Sequence, residues 1–334
     1  MTVKIEFPCV VSIEPTSRCN LRCPLCYSGR GNAAGKADMP LKHYTRLIEE
    51  IGKLSSNISL VNYGEPFLHP HIFKMIRLAK DEGLRVSTAS NFNLSMNCIR
   101  MIPTSGLDIL TISLDGVTPE SYRKYRIGGD FNVVIRNTKL LLESRRLRGT
   151  LKPTVVLQFI IMSHNQHEIK QFVALGKALG VDRLRFKTLN SRGMAVASKL
   201  MPEKQYCRKP QRKTKSITSV NCAWPQKSLV VNCDGTVVPC CNVGHDSKMV
   251  LGNAFSDSLA EIWRSENYQR FRKAFHLQLN LPHQCQECQS SWLEDPRRQA
   301  ESINERLLRE YSWEVNREDD LHFFNEKMRT ILDE

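Results

Sequence analysis

The sequence predicts an α/β protein built on a parallel sheet, followed by a smaller cysteine-bearing module and a helical tail. Across the first 190 residues, apolar segments of strand length alternate with amphipathic segments of helix length. Gly83, Gly106 and Gly180 each fall where a helix should stop before the next strand. Periodicity then disappears over residues 190–218, where Ser, Arg, Lys, Gln and Pro dominate, and a second region rich in cysteine follows.

Strands are expected near residues 10–13, 58–62, 84–88, 109–114, 154–162 and 183–187, with helices near 41–53, 72–81, 95–102, 132–145 and 166–179. This alternation implies parallel pairing, because each return to the sheet runs through a helical crossover. Reactive groups on such a sheet gather at the C-terminal strand ends. The chain divides into a catalytic part at 1–190, a basic linker at 191–218, a cysteine-bearing domain at 219–295 and a tail at 296–334. The tail reads as two amphipathic helices broken near 316–320, with Leu307, Leu308, Tyr311, Leu321, Phe324, Met328 and Ile331 as docking residues.

At 334 residues, 41% hydrophobic and 25% charged, the chain has the composition of a soluble globular protein. No signal-peptide core opens it, and its longest apolar stretches are far too short to span a bilayer, so a cytoplasmic protein without membrane attachment is expected. Twelve cysteines in that compartment argue for metal or cluster ligation rather than disulfides. The net charge of +14 is unevenly spread: residues 297–334 carry ten acids against seven bases, so the first 296 residues carry a net 17 positive charges. The densest basic run, 204–215, could meet an anionic substrate, a phosphate-bearing carrier or nucleic acid. With Tyr206 as its sole aromatic, a solvated linker is the preferred reading and a nucleic-acid partner is not expected.

Cys19, Cys23 and Cys26 stand at a Cys-x3-Cys-x2-Cys spacing directly after the first strand. Three thiolates leave one coordination position of a metal centre for a small molecule, whereas a structural zinc site closes with four. A zinc knuckle or three buried thiols are the plainer alternatives. With Tyr27 following, these residues resemble the radical S-adenosylmethionine (radical SAM) family. The resemblance implies a [4Fe-4S] cluster on the three cysteines, chelated at its open iron by S-adenosylmethionine, whose reductive cleavage yields a 5'-deoxyadenosyl radical. It also implies an open, partial (β/α)6 TIM-like barrel, and a flavodoxin- or ferredoxin-type reductant as partner.

Further elements of the resemblance follow in order. Asn62-Tyr-Gly-Glu-Pro66 resembles the family's Gly-Gly-Glu-Pro element, with Tyr63 in place of the first glycine. There Gly64, Glu65 and Pro66 would form the seat of the cofactor's ammonium. Ser90 and Asn91 end the third strand, where the family contacts the ribose. Ser113 and Asp115 at the fourth strand end resemble its ribose and carboxylate contacts, and Arg126 could pair with the methionyl carboxylate. Taken singly, each serine or aspartate is as readily an ordinary helix cap.

The stretch from Cys222 through Cys233, Cys240 and Cys241 to Cys285-Gln-Glu-Cys288 resembles the auxiliary-cluster domain called SPASM, in its shortened twitch form. The resemblance implies Cys222, Cys240, Cys285 and Cys288 as ligands of a second [4Fe-4S] cluster, with Asp234-Gly235 turning the hairpin that returns Cys240. Four thiolates also suit zinc, which spacing does not separate from iron. Full ligation would leave electron transfer as the cluster's task. Cys233 and Cys241 are spare ligands, buried thiols or hydrogen-atom donors, with a small buried hydrophobe the default for a lone cysteine.

The function expected from this is hydrogen abstraction from a small polar substrate such as a sugar or cyclitol, leading to oxidation or epimerisation. An anionic substrate is compatible with this, since Arg185 and Lys187 at the sixth strand end could serve as a base or anion clamp, or simply be solvated. A ribosomal peptide or protein side chain is the second substrate class. The short segment before the first strand, with no room for a leader-binding domain, favours the small molecule. A zinc-binding nucleic-acid adaptor is the alternative without catalysis.

Overall fold

The first six strands are β1 (Val10–Ile13), β2 (Asn57–Leu60), β3 (Arg85–Ser90), β4 (Ile109–Ser113), β5 (Thr154–Ile161) and β6 (Arg183–Thr188), paired in parallel in chain order. They are seen in a computed structural model that describes residues 7–8, 10–30, 37–190, 195–207, 222, 224–243, 249–286, 288, 296–311 and 313. The helices between them are α1 (Leu41–Gly52), α2 (Ile72–Asp81), α3 (Met96–Met101), α4 (Pro119–Tyr125), α5 (Phe131–Leu147) and α6 (Ile169–Leu179). This is the partial TIM-like barrel expected from the sequence. Helix α4 was not anticipated; Thr118 and Ser121 form a reciprocal capping box at its start, with Pro119 in its first turn. Asp130 caps α5 by accepting from the Asn132 and Val133 amides. Gly180 closes α6 in the left-handed region at φ 72°.

Side-chain alternation gives the sheet two different faces. Val11, Ile13, Ile58, Leu60, Leu110, Ile112, Leu157, Phe159, Leu184 and Phe186 belong to the core shared with the helices. Phe159, Phe172 and Phe186 pack as an aromatic trio inside it, with centroids 4.7 to 6.2 Å apart. The intervening positions face the other way and are largely polar, among them Ser12, Ser59, Ser87, Thr111, Ser113 and Gln158.

Beyond the barrel, α7 (Trp224–Lys227) leads into β7 (Ser228–Val231), followed by β8 (Thr236–Val238) and β9 (Gly252–Asn253). β7 pairs in parallel with β1, and β8 and β9 add on antiparallel, so one nine-stranded sheet runs β6-β5-β4-β3-β2-β1-β7-β8-β9. The cysteine-bearing region is thus an extension of the barrel sheet along the free side of β1. Helices α8 (Leu259–Arg264) and α9 (Glu266–Leu277) cover it, and Arg272 lies against both the Trp263 and Tyr268 rings, 3.8 and 4.0 Å from their centroids. A short helix, α10 (His283–Gln286), carries Cys285.

The opposite edge is covered by α11 (Pro296–Glu310), where the Asn304 side chain accepts from the Phe186 amide of β6. Leu307 is buried there, and Leu308 and Tyr311 pack beside it. Leu321, Phe324, Met328, Ile331 and the second tail helix lie outside the described residues. Part of the expected linker is packed rather than solvated: Ala197 is buried with Leu21, Cys23, Leu25 and Met162, and the Ser163 amide donates to Leu200. Residues 208–215 of the basic run lie outside the described residues.

The two ends of the strands serve different purposes. Before β4, Asp108 accepts from Lys80, Lys152 and the Val86 amide, which together hold its carboxyl below the usual range against the opposing effect of burial. Before β6, Asp182 holds Arg145 and the Val155 amide. These contacts staple the bottom of the barrel, whereas the groups singled out from the sequence gather at the top.

Candidate active site

The loop after β1 sets its three cysteines within electrostatic reach of one another. Leu21 and Leu25 are buried beneath it against Tyr125 and Met162, and the Cys26 amide donates to the Cys23 carbonyl at 3.1 Å. Burial pushes the Cys19 thiol up to about 12, an effect that the Leu21 amide offsets in part and that Glu65, Cys23 and Cys26 reinforce. Cys23 is 6% exposed and also raised by burial, with Arg126 pulling the other way. The desolvated Cys19 and Cys23 thiols resist becoming bare anions, which suits a donor set completed by a cationic iron-sulfur core.

Gly64 fits this loop by lacking a side chain. A Cβ there would lie 1.8 Å from the Thr16 carbonyl, and the next amide, Glu65, donates to the Arg18 carbonyl at 2.8 Å. Glu65 is buried with both carboxylate oxygens occupied: one accepts from the Ser90 hydroxyl and the Phe67 amide, the other from the Asn91 amide. Its carboxyl is pushed up to about 7 by burial, against the lowering effect of those hydrogen bonds and Arg126. Pro66 opens the short 3-10 turn that follows. Glu65 therefore ties the β2 loop to the end of β3.

Asn91 reaches back across the cysteine loop, donating to Asn20 at 2.8 Å and lying 3.8 Å from the Cys19 sulfur. Ser90 is committed to Glu65 and to the Phe92 amide. Phe92 adopts φ 61°, and the Asn137 side chain grips its carbonyl. Asp115 is 0% exposed and accepts from the Ile160 amide and from Arg126. It is thereby the anchor of Arg126. Arg126 in turn stands 3.8 Å from the Cys23 sulfur; burial alone would lower its pKa, but the charges of Asp115 and Cys23 hold it well above the ordinary value. Ser113 closes β4 on the inner face.

A second group of thiols forms beyond β8. Cys240 is raised well above its usual value by burial and then by Cys241, Cys222 and Cys285. Cys285 is pushed up to about 12 by burial, then by Cys222 and Cys288. The Asn242 side chain approaches Cys288 at 3.9 Å. Cys240 and Cys285 are thus within electrostatic reach of Cys222, and Cys285 of Cys288, beside an apolar bed of Val230, Val238, Val243 and Met249, while among the described residues no three His, Cys, Asp or Glu side chains stand as a ready-closed metal site. Four soft donors in an apolar setting fit a fully ligated cluster. Cys233 is 2% exposed and belongs to the helix-side core, with burial pushing its thiol up to about 12. That position turns it away from the inner face and argues against a hydrogen-donor part. Cys241 is half-buried beside the second thiol group.

The contacts between the two groups were not anticipated. The Tyr63 hydroxyl donates to the Cys241 carbonyl, and its ring lies against Tyr27 with centroids 5.1 Å apart. The Tyr63 carbonyl faces the Cys26 sulfur at 3.7 Å. Glu14 joins the Tyr63 and Cys233 amides, and Asn62 donates to Asn232 at 3.0 Å. These polar side chains at the tops of β1, β2 and β7 explain why β2 ends at Leu60 rather than continuing to residue 62. A sequence signal existed only for the inner face, in the polar residues that alternate with apolar ones along each strand.

Comparison with known proteins agrees with this arrangement. Residues 13–175 match the radical SAM superfamily model, and residues 222–289 match SPASM, an iron-sulfur cluster-binding domain. A tungsten-containing aldehyde ferredoxin oxidoreductase cofactor-modifying protein of Pyrococcus furiosus is 25% identical over 296 residues, covering 78% of this chain and 82% of that one. Among solved structures, BtrN in complex with AdoMet and 2-DOIA is 17% identical with a TM-score of 0.54, covering 87% of this chain and 97% of BtrN. SuiB of Streptococcus suis bound to the precursor peptide SuiA is 13% identical with a TM-score of 0.62, covering 81% of this chain and 67% of SuiB. The chain belongs to the radical SAM superfamily, carries a C-terminal SPASM domain, and takes S-adenosylmethionine and [4Fe-4S] clusters as its cofactors.

Proposed function

We propose that the protein oxidises or epimerises a small polar substrate of the sugar or cyclitol kind by hydrogen abstraction, with the second cluster exchanging electrons. The observation that carries this reading is the polar inner face of the barrel, where Ser113, Gln158 and Arg185 are lateral neighbours on three successive strands. When bound, the reduced cluster and S-adenosylmethionine supply the radical that takes the hydrogen atom. Cys19, Cys23 and Cys26 hold the first cluster, and Cys222, Cys240, Cys285 and Cys288 the second. Gly64 lets the backbone approach the cofactor, Glu65 and Ser90 brace that approach, and Asn91 and Arg126 flank the cysteine sulfurs. Ser113, Gln158 and Arg185 hold substrate hydroxyls or an anionic group by direct hydrogen bonds.

The likeness to SuiB with its precursor peptide favours a second reading, modification of a peptide. Anaerobically reconstituted, reduced protein incubated with perdeuterated polyols and with peptides separates the two. Deuterium entering 5'-deoxyadenosine from a polyol supports the first reading; transfer from peptides alone overturns it.

A further inference from the structure

We propose that Tyr63 makes the two cluster sites interdependent, so that occupancy of the auxiliary site strengthens binding of S-adenosylmethionine. The inference rests on the reading that Cys222, Cys240, Cys285 and Cys288 hold the second cluster. Tyr63 stands in the segment laid against the cysteine loop, with its amide on Glu14, its carbonyl facing the Cys26 sulfur at 3.7 Å and its ring against Tyr27. Its hydroxyl reaches the carbonyl of Cys241, the neighbour of Cys240 in the other thiol group. One side chain therefore touches both cofactor loops, whose cysteines are separated by more than 200 residues of chain.

The other links between these strand ends are of a different kind. Asn62 with Asn232, and Glu14 with Cys233, tie β2 and β1 to β7 below the second thiol group. The Tyr63 hydroxyl meets the turn that carries Cys240 itself. Ligation of Cys240 fixes that turn and so fixes the acceptor of the Tyr63 hydroxyl, which steadies the backbone carbonyl beside Cys26. Because coupling between two sites is reciprocal, S-adenosylmethionine must in turn act on the auxiliary cluster. Tyr63 is here a positioning residue and takes no part in bond making.

Four reconstituted proteins test this: wild type, Tyr63→Phe, Cys285→Ser and the double variant, each analysed anaerobically for iron, sulfide and S-adenosylmethionine affinity by equilibrium dialysis. Loss of the auxiliary cluster in Cys285→Ser is expected to weaken binding about three- to tenfold, the reach of one buried hydrogen bond. In the Tyr63→Phe background the same loss should change affinity by less than about twofold. A weakening that persists undiminished with Tyr63→Phe overturns the proposal, as does unchanged affinity in a Cys285→Ser protein that has lost its second cluster. A Cys285→Ser protein with full iron content overturns the ligand reading itself, and the coupling falls with it. A further measurement needs no cysteine variant: S-adenosylmethionine should alter the electron paramagnetic resonance signal of the reduced auxiliary cluster in wild type and not in Tyr63→Phe. An equal response in both refutes the coupling.

Discussion

Replacing Glu65 by Gln should change how stability depends on pH. In the cluster-free protein, burial raises the Glu65 carboxyl from 4.5 to about 7. A carboxyl raised on folding contributes its stability in full below about pH 4.5 and loses it as pH rises through about 7. Over an interval of about 2.5 pH units, at about 1.4 kcal/mol each, the loss is about 3.5 kcal/mol. Glu65→Gln has no proton to lose, so this component of the pH dependence vanishes. The amide also turns an N–H toward either the Ser90 side or the Asn91 amide, where the carboxylate accepted, at a cost of about 1–3 kcal/mol independent of pH. The variant should therefore be less stable than wild type near pH 4.5 and draw level with it, or pass it, near pH 8. Urea unfolding followed by circular dichroism across that range, taken as the difference between the two proteins, cancels every other titration. A constant difference would refute the buried-carboxyl reasoning.

Three further outcomes are expected. Cys23→Ala should lose the first cluster and abolish conversion of S-adenosylmethionine to 5'-deoxyadenosine under dithionite; undiminished cleavage refutes its place as a ligand. Gly64→Ala drives a methyl group into the Thr16 carbonyl, a backbone atom that yields only if the cysteine loop shifts. It should weaken S-adenosylmethionine binding by at least tenfold, on the order of 1.4 kcal/mol, and wild-type affinity measured by dialysis argues against a close fit there. Phe159→Ala should destabilise the protein by about 3–5 kcal/mol through loss of contacts with Phe172 and Phe186, read as a lower urea midpoint with little change in slope.

Much of the barrel was legible because its signals are local. Each strand and crossover helix is encoded within ten to twenty residues, and Gly83, Gly106 and Gly180 all take positive φ at the predicted stops. The cysteine spacings were equally direct, since ligands of one loop must lie close in sequence. What escaped depends on distant partners. Nothing near Tyr63 announces that its hydroxyl meets Cys241, and nothing near Ser228 announces that β7 pairs with β1. Asp115 and Arg126 were both selected, but their spacing could not reveal that burial would make them partners of each other. Glu65 illustrates the same limit: the motif singled out the residue, while its actual neighbours, Ser90 and Asn91, come from the next strand.

The pairing of β1 with β7 has a consequence for how the chain is made. Val10 finds its neighbour at Ser228, so one rim of the first strand waits for more than 200 further residues to be synthesised. At about 5–20 residues per second, that wait lasts roughly 10–45 s on the ribosome. Throughout it, the N–H and C=O groups along that rim can recruit any passing strand, and a nascent chain cut short before residue 228 keeps the exposed edge permanently. The arrival of the second cysteine region thus completes the redox machinery and, in the same event, ends the vulnerable period of the growing polypeptide.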